Sequence, residues 1–158
     1  MKTPLVIGIG NSLRSDDGAG IVVAEALSAT STNATSSKLN LLIRQQLSPD
    51  LSTVISQARA VLFIDAVVSE QRGAQRPILQ SLPGNVAGPA AAGDPFSHAL
   101  TPERLLALTL ALHNHCPPAW QLLIPGHRWE VGDELSPATR QACQEALPLA
   151  LEWVAAHA

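Results

Sequence analysis

A glycine-rich turn between two apolar segments places the strongest constraint on how this chain folds. Leu5-Val6-Ile7 precedes the turn and Ile21-Val22-Val23-Ala24 follows it. The turn itself reads Gly8-Ile9-Gly10-Asn11-Ser12-Leu13-Arg14-Ser15-Asp16-Asp17-Gly18-Ala19-Gly20. This succession predicts a buried strand, a tight turn and a helix, which is the opening unit of an α/β fold.

A dinucleotide-binding loop is one interpretation of this turn. Such a loop needs Gly-x-Gly-x-x-Gly, and Leu13 stands at the third glycine position. The second predicted strand ends in Arg44, whereas an NAD site has an acid there. Asp16 and Asp17 also occupy the expected helix N-terminus, where they would repel a pyrophosphate. A small nucleotide-dependent reductase is therefore disfavoured.

The two adjacent aspartates invite different interpretations. An acid in the first turn of a helix complements the helix dipole or caps free N–H groups, typically for about 0.3–1 kcal/mol, and we assign that role to Asp16. One cap does not require a second aspartate, so we assign Asp17 a functional role. Gly18 and Gly20 lower helix propensity, which indicates that another group approaches the backbone closely here.

Composition limits the class of protein. The chain has 158 residues, of which 46% are hydrophobic and 15% charged, as expected of one domain over residues 1–158. A net charge of -3, no Lys/Arg cluster and no tyrosine argue against a nucleic-acid partner. No signal peptide and no apolar run of about 20 residues are present, so we expect a cytoplasmic monomer without a membrane partner. We expect Cys116 and Cys143 to be unpaired.

Strand and helix patterns alternate along the chain. This alternation predicts a three-layer αβα sandwich around a five-stranded, mostly parallel twisted sheet, of the phosphorylase/hydrolase-like kind. Ser-Pro or Thr-Pro pairs are expected to open three of the helices, and residues 83–95 form a long Gly/Pro/Ala-rich functional loop. The predicted strands are Leu5–Ile9, Leu39–Arg44, Ala60–Asp65, Arg76–Leu82 and Ala119–Ile124, and the predicted helices begin at Asp17, Ser48, Pro102 and Pro137.

Asp65 and His98 are the other candidate site residues. Asp65 follows four apolar residues at the predicted end of the third strand, and ligands of open α/β sheets bind outside the carboxyl ends of the strands. Asp17 reaches the same edge, and His98 follows the long loop. Two carboxylates and an imidazole form a three-ligand set for Zn, Ni, Mn or Fe. Because no nucleophile motif is visible, water is the expected attacking group of a hydrolase.

The chain resembles the nickel–iron hydrogenase maturation endopeptidases, peptidase family M52, over almost its full length. The order and spacing of several weak motifs carry the resemblance. These motifs are Gly8-Ile9-Gly10-Asn11, Asp16-Asp17-Gly18-Ala19-Gly20, Phe63-Ile64-Asp65-Ala66-Val67, Ser97-His98-Ala99-Leu100-Thr101-Pro102, Gly126-His127-Arg128-Trp129-Glu130-Val131-Gly132 and Leu135-Ser136-Pro137.

The resemblance implies an endopeptidase that trims a C-terminal peptide from the nickel-loaded precursor of a hydrogenase large subunit. It implies Asp17, Asp65 and His98 as metal ligands, Asp17 and Asp65 as catalytic groups, and nickel carried by the substrate. Many members have glutamate at the position of Asp17. Many also have an aspartate-glycine motif where this chain has Gln45-Gln46-Leu47. A nickel-sensing chaperone that binds the precursor without cutting it is the alternative.

Two mechanisms follow from the resemblance. The nickel of the precursor is either a recognition tag that the protease ligands test, or a Lewis acid that polarises the scissile carbonyl while Asp17 or Asp65 activates water.

Overall fold

The computed structural model describes residues 2–30, 39–69, 76–83 and 100–158. Its strands are β1 (Leu5–Ile9), β2 (Asn40–Arg44), β3 (Val61–Val68), β4 (Ile78–Leu82) and β5 (Ala119–Gly126). Its helices are α1 (Ala19–Thr30), α2 (Leu51–Ser56), α3 (Pro102–His113) and α4 (Pro137–His157), and a 3-10 turn, Ser15–Gly18, precedes α1. His98 and the predicted functional loop at 83–95, apart from Pro83, lie outside the described residues.

The described strands form a five-stranded sheet in the order β2-β1-β3-β5-β4. All neighbouring strands are parallel except β4, which is antiparallel to β5. Residues along β3 alternate between the two faces: Leu62 and Ile64 pack in the cluster that holds α1 and α4, and Phe63 packs in the cluster that holds α2 and α3. The predicted three-layer αβα sandwich is therefore confirmed.

Two of the three predicted helix caps are present. The Thr101 hydroxyl accepts a hydrogen bond from the Arg104 N–H at 3.2 Å, and the Ser136 hydroxyl accepts one from the Thr139 N–H at 3.4 Å. The prediction for Ser48 was wrong. The Ser48 hydroxyl donates to the side chain of Asp50, and α2 begins only at Leu51.

Strand β3 is longer than the sequence predicted, and α4 is continuous. Pairing with β5 runs from Val61 to Val68, so Asp65 lies inside the strand rather than at its end. Helix α4 passes through Pro148 without interruption. Both cysteines are free, as expected. Among the described residues, no helix has the combination of length and apolar character needed to cross a bilayer.

Candidate functional site

The turn after β1 depends on Gly10. Its φ is +154°, and a Cβ atom there would lie 2.0 Å from the backbone oxygen of Asp17. Only glycine therefore lets the chain fold back so that the 3-10 turn sits against the end of β1. That turn replaces the first helical turn predicted from Asp17, and α1 begins two residues later at Ala19.

Asp17 is half-buried and is held by the loop that precedes it. Its Oδ2 accepts a hydrogen bond from the backbone N–H of Asn11 at 3.0 Å. The Asn11 side chain in turn accepts one from the Leu13 N–H at 2.9 Å. Asn11 thus fixes the loop and the carboxylate together. The sequence motifs did not predict this role of Asn11, although its place directly after the Gly-x-Gly pair was a usable signal.

Asp65 faces the same side of the sheet as Phe63, because alternate residues of a strand share a face. Pairing between β1 and β3 stops at Gly8 and Ile64, one residue before Asp65, so the two strands separate there. The strand order also reverses at this point, since β1 lies between β2 and β3. Such a switch point at the carboxyl ends of parallel strands is where α/β sheets bind ligands.

Gly20 allows α1 to enter this opening. A Cβ atom at Gly20 would lie 2.5 Å from the backbone oxygens of both Ile9 and Ile64. The first turn of α1 therefore rests directly on the ends of β1 and β3. The sequence-based expectation that another group approaches this glycine closely is confirmed, and the group is the sheet itself.

Asp17 and Asp65 line one cleft of about 300 Å³. The other walls come from the end of β1, the segment after β2 and the start of α3. Because Gln45 and Gln46 line the cleft, this wall contributes side-chain amides rather than a further acid. The remaining lining residues are Ile9, Gly10, Leu47, Leu100, Thr101 and Pro102.

The electrostatics of the cleft favour a proton or a cation on Asp65. Burial raises the pKa of Asp65 to about 7; a hydrogen bond from the Ala66 N–H opposes this, and the negative charge of Asp17 adds to it. Below pH 7 the Asp65 carboxyl is therefore mostly protonated. A divalent cation between the two carboxylates would replace that proton and remove the repulsion.

Asp16 has a different environment and does not lie in the cleft. It is fully buried, and its carboxylate accepts five hydrogen bonds from a distant part of the chain. The donors are the N–H groups of His127, Arg128 and Ser136 and the hydroxyls of Ser136 and Thr139, at 2.7–2.9 Å. Asp16 thereby ties the turn after β1 to the start of α4.

The pKa of Asp16 reflects those donors. Burial alone would raise it, but the hydrogen bonds from His127, Ser136 and Thr139 outweigh burial and lower the pKa to about 2. The assignment of Asp16 as a cap of its own helix was therefore wrong. Its acceptor capacity is used by residues 127–139, so it serves the end of the chain rather than α1.

The predicted third ligand cannot be placed. His98 lies outside the described residues, two positions before Leu100, which lines the cleft. Within the part of the chain that the structure describes, no group of three or more His, Cys, Asp or Glu side chains could hold a metal. The structure thus brings Asp17 and Asp65 together and leaves His98 a prediction.

No protein-family model and no curated protein matches the sequence. Solved structures do match the fold. The hydrogenase maturating endopeptidase HybD from E. coli has a TM-score of 0.72 at 19% identity, covering 98% of this chain and 93% of that one. The chain has the fold of the nickel–iron hydrogenase maturation proteases.

Two archaeal structures agree with that likeness. The maturation protease HybD from Thermococcus kodakarensis has a TM-score of 0.66 at 20% identity, covering 96% of this chain and 99% of that one. The hydrogenase 2 maturation peptidase from Thaumarchaeota archaeon SCGC_AB-539-E09 has a TM-score of 0.68 at 22% identity, covering 97% and 98%. The likeness therefore extends over nearly the whole length of each chain.

Proposed function

We propose that this protein is a hydrogenase maturation endopeptidase that removes a C-terminal peptide from the nickel-loaded precursor of a nickel–iron hydrogenase large subunit. The observation that carries the proposal is the cleft shared by Asp17 and Asp65 at the switch point of the sheet. The likeness in fold to solved maturation proteases supports the same activity.

Nickel is proposed to arrive with the substrate. Asp17 and Asp65 fit a divalent cation because the raised pKa of Asp65 marks a carboxyl that lacks a positive partner. His98 is the proposed third ligand, since it precedes the cleft residue Leu100 by two positions. A set of two carboxylates and one imidazole leaves coordination positions open for ligands from the precursor.

The proposed chemistry is the attack of water on a peptide carbonyl. Asp65 is the proposed group that takes a proton from that water, since its carboxyl lines the cleft. Asp17 also lines the cleft, and its Oδ2 is held by the Asn11 N–H. When bound, the metal would supply Lewis-acid polarisation of the carbonyl.

Mass spectrometry of the precursor tests this proposal. Each large-subunit precursor encoded in the same genome is purified with and without nickel and mixed with the protein. We expect loss of a C-terminal peptide from a nickel-loaded precursor, and no loss with the Asp65→Ala variant. Asp50→Ala is the matched control, since Asp50 is an exposed aspartate next to α2.

Other results would redirect the proposal. Stable binding of a precursor that stays intact would favour the chaperone. Cleavage of nickel-free precursor would show that nickel is not the recognition tag. Full activity of Asp65→Ala would refute the site.

A further inference from the structure

Two glutamines on one wall of the cleft keep their side-chain amides free. Gln45 and Gln46 are exposed, follow β2 directly and line the same cleft as the two aspartates. Within the described segments, neither amide has a hydrogen-bond partner in the protein. An exposed glutamine that bonds only to water is ordinary on a protein surface. These two differ because they border the candidate site on a segment that is fixed.

The segment that carries the two glutamines is anchored at both ends. The Gly10 N–H donates to the Arg44 oxygen at 3.0 Å, which ties the residue before Gln45 to the turn after β1. Leu47, the residue after Gln46, is 7% exposed and packs in the cluster that holds α2 and α3. The backbone of the two glutamines therefore has a fixed position relative to that turn.

Several backbone N–H groups near the two aspartates are already used. In the turn after β1, the N–H groups of Gly10 and Asn11 both donate to oxygens of the protein. The Ala66 N–H donates to Asp65. Among the described residues that line the cleft, the two glutamines are the only side chains with N–H groups, and the Thr101 hydroxyl adds one O–H. The two amides together offer four N–H donors.

Cleavage of a peptide bond by water creates a negative oxygen that needs such donors. As the water oxygen bonds to the carbonyl carbon, the π electrons move to the carbonyl oxygen and one proton of the water passes to Asp65. The C–N bond then breaks as the C=O bond forms again, and the leaving nitrogen takes that proton. Ionised carboxylates only accept hydrogen bonds, so the aspartates cannot stabilise the negative oxygen. Donors placed where the charge develops stabilise the transition state.

We propose that the side-chain amides of Gln45 and Gln46 donate hydrogen bonds to the carbonyl oxygen of the peptide bond that is cut. This inference rests on the proposed function and adds two catalytic residues to it. The amide protons stay on nitrogen throughout, so the glutamines stabilise charge and transfer no proton. Because these hydrogen bonds strengthen as the charge develops, their loss lowers kcat more than it raises KM.

Replacement by methionine tests the inference, because methionine is also unbranched and has no N–H group. Cleavage of nickel-loaded precursor is measured for Gln45→Met/Gln46→Met. We expect kcat to fall by about 10²-fold or more, while KM changes less than about threefold and the unfolding midpoint in urea stays that of wild type. Gln80→Met/Gln141→Met is the matched control, because both are exposed glutamines, on β4 and α4, outside the cleft lining.

Four results would overturn the inference and leave the proposed function intact. They are a wild-type kcat in the first variant, a raised KM with kcat unchanged, an equal fall in the control, and a fall that follows a lower unfolding midpoint. A wild-type kcat in Gln45→Glu/Gln46→Glu would overturn it as well, because an ionised glutamate only accepts hydrogen bonds. A wild-type protein that leaves every precursor intact would overturn the proposed function and this inference together.

Discussion

The aspartate carboxyls at two neighbouring places in the molecule, Asp16 and the cleft of Asp17 and Asp65, differ in their hydrogen-bond donors and in their pKa values. Asp16 is fully buried and accepts five hydrogen bonds, and its pKa is about 2. Asp65 is partly buried beside a second carboxylate, and its pKa is about 7. Burial raises the pKa in both places. The number of donors that face the carboxylate decides the outcome.

This difference separates an acid that holds chain segments together from the two acids of the proposed site. Both carboxylate oxygens of Asp16 already accept hydrogen bonds, so a ligand would have to break those bonds. Asp65 and Asp17 have more acceptor capacity than their protein partners use in the described residues. A buried carboxylate with unused acceptors is suited to a cation or a proton, and a saturated one is suited to holding chain segments together.

The largest expected effect is on activity, from Asp65→Asn. The amide cannot take a proton or replace the carboxylate as a metal ligand, so processing should fall by about 10³-fold or more. The fold should persist, because Asn has the same shape and the variant lacks a charge that burial disfavours. Cleavage assays and the unfolding midpoint in urea measure both effects.

A strong fall in the stability of Asp65→Asn would contradict the contrast with Asp16, since it would make Asp65 structural. Retained activity of Asp65→Asn would contradict it as well. Asp50→Asn, an exposed aspartate, controls for the loss of one negative charge.

Asp16→Asn should instead act on stability. The amide nitrogen would face donors that now bond to a carboxylate, and leaving such donors unsatisfied costs about 3 kcal/mol. For a domain of this size that lowers Tm by about 10 °C. This exceeds the roughly 1 kcal/mol expected of a helix cap. Differential scanning calorimetry measures the shift.

The pH dependence of that loss provides a further check. The folded pKa of Asp16 is lowered from 3.8 to about 2, so the carboxylate stabilises the fold by about 2 kcal/mol above pH 4. That stabilisation disappears as pH falls through 2. The gap between wild type and Asp16→Asn should therefore narrow below pH 4; a gap independent of pH would contradict the hydrogen-bonded carboxylate.

The raised pKa of Asp65 predicts a pH dependence of activity, whereas the lowered pKa of Asp16 predicts one of stability. Its carboxyl must lose a proton to act as base or ligand, and its pKa is about 7. We expect kcat/KM on nickel-loaded precursor to fall about tenfold per pH unit below pH 7. The folded state binds this proton more tightly than the unfolded state between pH 3.8 and 7, so Asp65 lowers stability as pH rises through that range. An activity profile flat down to pH 5 would refute this assignment.

The smallest effects are expected when one methylene is added to Asp16 or to Asp17, which are adjacent in sequence. Asp17→Glu should keep activity within about tenfold, because Asp17 is half-buried and borders the open cleft. Asp16→Glu should lose about 1–3 kcal/mol, because its site is fully buried and filled. Cleavage rates and Tm compare the pair. Equal tolerance at both positions would remove the distinction between them.

Local patterns were sufficient to predict most of the fold. The apolar runs gave the strands, and the Thr101 and Ser136 caps gave the starts of α3 and α4. The end of β3 was missed because residues 66–68 extend the strand only through pairing with β5. The start of α2 was missed because Ser48 bonds the Asp50 side chain instead of a helix N–H.

The candidate site was predictable where it depends on strand topology and not where it depends on contacts between distant residues. Strand order and chain direction were enough to bring Asp17 and Asp65 to one edge of the sheet. The role of Asp16 was not predictable, because its five donors lie 111–123 residues away in sequence. Sequence-local rules assign such a carboxylate to the nearest helix. Only tertiary structure shows which distant N–H groups face it.

The link between Asp16 and residues 127–139 has a consequence for how the protein is made on the ribosome. The turn that carries Asp17 is synthesised early, but the donors that hold the adjacent Asp16 emerge more than 110 residues later. Until they do, burying the Asp16 carboxylate would leave it without donors, so the turn cannot settle in its final place. The nascent chain therefore completes its cleft only after the segment that leads into α4 has been synthesised.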